Sequence, residues 1–184
     1  MSAENVGQLT LVLLAFATAS TAPAWTSVGR RIWAPISVVL LAAAAIVGAV
    51  PDDVRVDGRG LTALLVALAG ALAVSGGGPV TARVFAIVDR QEHTTDAETI
   101  DSAGRVLRGG AWIGALERAA VFATLVGGWP EGLAIVLALK GLGRYPELRN
   151  GQNTGAAERF IIGTFTSVLW AAACAGVVRL VGPA

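Results

Sequence analysis

Six long apolar runs separated by short polar stretches constrain this chain more than any other feature. They cover about residues 6–25, 33–50, 61–76, 111–129, 130–145 and 159–181. A helix rises about 1.5 Å per residue and a bilayer's hydrocarbon core is about 30 Å thick, so each run is long enough, or nearly so, to cross. The fifth is the weakest, because its uninterrupted apolar part stops at Leu139; it reads as a tilted short helix or a re-entrant one. Only 15% of the residues are charged, against about 25% in soluble domains. The expected fold is all-α: a polytopic transmembrane bundle of about six helices, forming one integral membrane domain over residues 1–184.

Basic residues orient such a bundle, because arginine and lysine accumulate in cytoplasmic loops. Arg30 and Arg31 follow the first run, Arg83, Arg90, Arg105 and Arg108 the third, and Arg149 the fifth. The alternate loops are poorer in bases: the stretch 51–59 has more acids than bases, and Trp129-Pro130-Glu131 has no base. The first, third and fifth loops are therefore expected in the cytoplasm, with both termini outside. Trp25, Trp33, Trp112 and Trp129 fall where an aromatic belt would lie. The N-terminal MSAEN carries an acid and no base, so the first run reads as a retained helix rather than a secretory signal.

The third run is expected to end at a Gly76-Gly77-Gly78-Pro79 break, which reads as a hinge or a helix end. The polar stretch 80–109 then forms a cytoplasmic loop. Its first part, 80–89, would lie along the membrane surface. Thr95-Asp96-Ala97-Glu98 is a capping-box pattern, and an amphipathic helix should start there, with Ile100, Ala103, Val106 and Leu107 on one face.

Several function classes find little support. A net charge of +1 offers no bulk attraction to nucleic acid. The lone Cys174 permits no intrachain disulfide and lies in an apolar run, as a small packing residue does; His93 is a loop histidine. Asp52, Asp53 and Asp57 before Gly58 resemble a calcium loop only loosely. No cofactor or metal motif is present.

The informative polar residues lie inside apolar runs. Glu117 is about 18 Å down the fourth run from the Trp129-Pro130 turn, and Lys140 about 15 Å down the fifth. A short turn makes these helices antiparallel neighbours, so the two charges should pair, at a depth near mid-bilayer. Arg118 points about 100° away, toward the sixth run. Arg144 is one turn from Lys140 on the same face, with Glu147, Glu158 and Arg159 beyond it. These seven residues would form a polar track from the cytoplasm inward. Lys140 is the only lysine beside thirteen arginines. Thr164, Thr166 and Ser167 read as helix–helix hydrogen-bonders, and Gly110 and Gly114 as a small-xxx-small packing motif, which Gly70 and Val74 match only imperfectly.

Three blocks in order carry a resemblance: IGALER at 113–118, ALKGLGRYPE at 138–147 and AERFIIGT at 157–164. They resemble I-G-x-L-E-R, A-K-x-x-x-R-[FY]-x-E and A-E-[YF]-x-x-I-G-T of a bacterial family of small inner-membrane proteins known as a domain of unknown function. The likeness covers roughly residues 104–170. Leu139 stands where alanine is usual, and Arg159 where an aromatic is common. The resemblance implies a bacterial inner-membrane location. It marks Glu117, Arg118, Lys140, Arg144, Glu147 and Glu158 as residues to test; it brings no activity with it.

Three functional expectations follow. In the first, the cluster binds an anionic group or ion from the cytoplasmic side, transport being one form of this. In the second, the charges only fix helix packing in a structural or assembly protein. In the third, Glu117 or Glu158 is the general base of a lipid-modifying enzyme. A non-enzymatic protein is favoured, because the sequence has no nucleophile–base pair or phosphate loop. Membrane lipids, and a second copy of the chain, are the expected partners.

Overall fold

The computed structural model describes residues 3–49, 56, 58–92, 110–149 and 154–182. Among them are six helices and no strand: α1 (Ala3–Ala24), α2 (Gly29–Ala49), α3 (Arg59–Glu92), α4 (Gly110–Val126), α5 (Glu131–Arg149) and α6 (Thr154–Val181). Four of them, α1, α2, α3 and α6, are long and apolar enough to cross a membrane. The 17 residues of α4 make a rod of about 25 Å, and α5 is too polar over its length to join that set. The amphipathic helix expected at Thr95 and the acidic stretch at Asp52, Asp53 and Asp57 lie outside the described residues, as does His93.

The side-chain pattern is that of a bundle in lipid. The core is built from small and branched residues: Leu14, Ala17, Ala44, Leu65, Leu72, Val121, Ala171 and Cys174 are all but fully buried. Large apolar side chains such as Phe16, Val39, Ile46, Phe165 and Leu169 point outward, each more than 60% exposed. In water such a surface would drive association; against acyl chains it carries no penalty.

The largest departure from the sequence expectation is in α3. The Gly76-Gly77-Gly78-Pro79 run does not break it; the helix continues to Glu92, so residues 80–89 extend α3 instead of forming a separate surface segment. Glycine costs a helix interior about 1 kcal/mol and proline about 3, so something must compensate. Each glycine receives a large side chain from a different part of the bundle. The indole of Trp170 on α6 lies on Gly76, the Arg118 side chain of α4 on Gly77, and the indole of Trp25, just after α1, on Gly78. Successive helical residues point about 100° apart, so three adjacent glycines open three sides of α3 to close approach.

Backbone carbonyls of α3 complete these contacts. Pro79 has no N–H, which leaves the Ser75 carbonyl, four residues earlier, without its helical donor. The Trp25 indole Nε1 donates to that carbonyl at 3.2 Å. Trp170 Nε1 donates to the Leu72 carbonyl at 3.1 Å. Hydroxyls add to the α1–α3 seam: Thr18 donates to the Leu68 carbonyl at 3.2 Å, and Thr21 and Ser75 share a hydrogen bond of 2.9 Å. Such replacement of lost backbone bonds by neighbouring helices is what tolerates proline in membrane helices.

A double-mutant cycle tests this account of Pro79. Trp25→Phe should cost about 1 kcal/mol, the worth of one hydrogen bond. In a Pro79→Ala background the restored Ala N–H can serve Ser75, and the cost of Trp25→Phe should fall toward zero. Unfolding free energies in detergent that simply add would overturn the assignment.

The α4–α5 turn is written in the sequence as Gly127-Gly128-Trp129-Pro130. Gly128 takes the left-handed conformation at φ 73°. Its N–H reaches the Leu125 carbonyl at 3.3 Å, and that of Trp129 the Thr124 carbonyl at 2.8 Å. These two bonds make a Schellman end to α4, and Pro130 prevents the helix from continuing. The two helices are thereby antiparallel neighbours, as the spacing predicts. At that end of the bundle the Val56 N–H also meets the Val181 carbonyl at 2.9 Å. Val56, the α4–α5 turn and the end of α6 thus share one side, and the α1–α2 turn lies on the other.

Candidate functional site

The one charged side chain that is buried among the described residues lies in the middle of α4. Arg118 is 5% exposed. Its Nε and Nη2 both donate to the Val74 carbonyl on α3, at 3.1 and 2.8 Å. Its Nη1 reaches Ser167 Oγ on α6 at 3.5 Å. One guanidinium therefore ties α4 to two other helices. The expected turn toward the sixth run is present, and the stronger attachment is to α3. Gly114, one turn before Arg118, leaves room for this side chain: a methyl group there would stand 3.1 Å from Nη1. The small-xxx-small pattern therefore makes space for an arginine of its own helix. Gly70, the other candidate small site, takes the ring of Phe122 from α4.

Glu117 and Lys140 form the ion pair expected from their spacing, Lys140 Nζ donating to Glu117 Oε2. Both side chains are 17% exposed, so the pair lies on the flank of the bundle and not at its axis. Arg118, Glu117, Lys140 and Ser167 line a cleft with Val121, Val136, Leu137 and Val168. Its cavity volume is about 10 Å³, roughly the space one water needs.

The contacts on α3 place the group along the α1–α2 hairpin. Arg118 lies on Gly77 while Trp25 lies on Gly78, one residue further along α3 and so about 1.5 Å away. Trp25 belongs to the turn that joins α1 to α2. A residue level with that turn is near a surface of the α1–α2 hairpin and cannot be at its midpoint. The α4–α5 turn is offset along the bundle from the start of α3. Phe122 of α4 already meets Gly70 of α3, which leaves α4 too short to reach the start of α3.

Of the expected polar track, the described residues show two separate contacts. Arg159 pairs with Asp89 near the end of α3 and stands 5.6 Å over the Phe85 ring. Asp89 is 12 residues beyond Gly77, about 18 Å along the helix. The seven candidates therefore divide. Glu117, Arg118 and Lys140 make one group, and Arg159 belongs to another with Asp89. Arg144 lies one turn from Lys140, and Glu158 is exposed. The Glu147 side chain lies outside the described residues.

Sequence reasoning did not single out Asp89 or Trp170, and it met Val74 only as an imperfect small-residue match to Gly70. Asp89 falls in the stretch expected along the membrane surface, and the run 76–79 hid that α3 continues through it. Val74 takes part through its backbone, which leaves no signal in residue type. Ser167 was read as a helix–helix hydrogen-bonder, and it is one. The Thr164 and Thr81 hydroxyls are buried with no hydrogen-bond partner among the described residues, and no group of histidine, cysteine and acidic side chains there could hold a metal ion. No family model, curated protein or solved structure matches the chain.

Proposed function

We propose that this is a non-enzymatic multi-pass membrane protein whose buried charges lock the α4–α5 hairpin onto α3 and α6. The observation that carries this reading is the Arg118 side chain. It spends two N–H groups on a backbone carbonyl of α3 and reaches a hydroxyl of α6, filling the space above Gly77. Glu117 and Lys140 then fasten α5, which packs chiefly on α4. The surface left around the lock is apolar and suits lipid or a partner's helices. The arginine-rich loops support a cytoplasmic position for the α1–α2 turn, with both termini outside. The three sequence blocks support a bacterial inner-membrane location.

Thiol labelling tests the lock. Native Cys174 is fully buried in α6 and should resist a membrane-permeant maleimide. Arg118→Ala should unseat α4 and make it reactive, while a cysteine replacing Thr26 is labelled only from the cytoplasmic face. Unchanged protection of Cys174 in the Arg118→Ala protein would refute the lock.

A second reading, binding of an anionic group, is favoured by one observation. Glu117 contributes −1 to the cleft, and Arg118 and Lys140 contribute +1 each, so its lining carries net +1. An enzyme has less in its favour: Lys140 engages Glu117, and Glu158 stands exposed near the start of α6.

A further inference from the structure

We infer that the cleft between α4, α5 and α6 seats one phosphate oxygen of an anionic phospholipid from the arginine-rich leaflet; this rests on the anionic-group reading just given. The donors are in place. Lys140 has three N–H groups and gives one to Glu117. Arg118 has five, gives two to the Val74 carbonyl and holds Ser167 only at 3.5 Å. A cleft whose lining carries excess positive charge concentrates anions. The cavity of about 10 Å³ admits a single oxygen-sized atom, so the rest of a phosphodiester would stand at its mouth.

The surroundings favour a lipid over a free ion. Because α5 packs chiefly on α4, the seam between α5 and α6 faces sideways into lipid. Leu139 beside Lys140, and Phe165 and Leu169 flanking Ser167, are each more than 60% exposed. They offer acyl chains an apolar surface beside the charges. The cleft is also at headgroup level. Arg118 is level with Trp25 and hence with the α1–α2 turn. From Arg59 to Pro79, α3 rises about 30 Å, one hydrocarbon thickness, which places the layer boundary just beyond Gly77. Arg30 and Arg83 belong to the same side, and the Nε of each is buried with no hydrogen-bond partner among the described residues.

The test uses the full chain in nanodiscs of equal phosphatidylglycerol and phosphatidylcholine, with native mass spectrometry of the lipids retained after extraction. The wild-type protein should retain phosphatidylglycerol preferentially. Lys140→Gln keeps a hydrogen bond to Glu117 and removes the excess charge; it should weaken the preference roughly fivefold. Lys140→Arg should preserve it, and so should Arg179→Gln at the opposite end of the bundle. A preference unchanged by Lys140→Gln would overturn the site. Inorganic phosphate at high concentration should not displace the lipid. If it does, the cleft takes a free anion, and the lipid assignment falls while the anionic-group reading stands. A wild-type protein that shows neither lipid preference nor any response to phosphate would sink both.

Discussion

Gly77→Ala lowers the stability of the folded protein by about 2–3 kcal/mol, the upper part of the range seen when a packed interior is overfilled, and Gly76→Ala has a similar effect. The added methyl at position 77 would stand 2.7 Å from Arg118 Nε and 3.1 Å from Trp170 Cδ1. At position 76 it would stand 2.6 Å from Trp170 Cζ2 and 3.2 Å from Thr21 Cγ2. Neither neighbour can yield freely. The Trp170 indole is 6% exposed and bonded to the Leu72 carbonyl. Arg118 can move only by leaving the Val74 carbonyl, which loosens α4. The direction opposes helix propensity, since alanine is the better helix former by about 1 kcal/mol. Gly176 in α6 supplies the contrast: a methyl there meets nothing within 4 Å. Gly176→Ala should therefore stabilise by about 0.5–1 kcal/mol. Equilibrium unfolding in detergent measures all three variants. A neutral or stabilising Gly77→Ala would mean that Arg118 is not seated on α3.

This contrast also explains what was legible in the sequence. The helices follow from apolar length, and the α4–α5 turn from a Gly-Gly-Trp-Pro stop. The Glu117–Lys140 pair follows from equal distances along two antiparallel helices. Each of those inferences uses only local geometry. The Gly76-Gly77-Gly78-Pro79 run misled because local propensity and tertiary packing point in opposite directions there. Three glycines and a proline are the weakest helix formers, yet they admit Trp170, Arg118 and Trp25 to the α3 backbone. Nothing in the spacing of Trp25, Arg118 and Trp170 announces that they converge on one segment. The position of the charged group along the bundle was not legible for a related reason. Helix lengths alone do not say how far one hairpin slides against its neighbours, whereas the contacts of Phe122 with Gly70 and Arg118 with Gly77 do.

Lys140→Met should destabilise the protein by about 2 kcal/mol, and Glu117→Gln together with Lys140→Met should recover most of that loss. Removing one partner of a fully buried ion pair costs about 3–5 kcal/mol, because the remaining charge is left without compensation. Here both side chains are 17% exposed, so some solvation of the leftover carboxylate reduces the figure. Replacing both partners leaves a neutral amide beside a thioether of similar length, and the desolvation penalty of two charges disappears as well. The non-additive part of the cycle therefore carries the sign of a direct pair. Arg118 complicates the single variants in a useful way. It follows Glu117 in sequence and holds the Val74 carbonyl and Ser167. If Arg118 turned toward the orphaned carboxylate, α4 would loosen from α3 and Cys174 would become reactive in Lys140→Met. If it kept its place, the loss would be confined to α5, and hydrogen exchange would rise in α5 but not in α3. Losses that simply add across the cycle would show that Glu117 and Lys140 act independently. The fastening of α5 would then have to come from its apolar contacts with α4 alone.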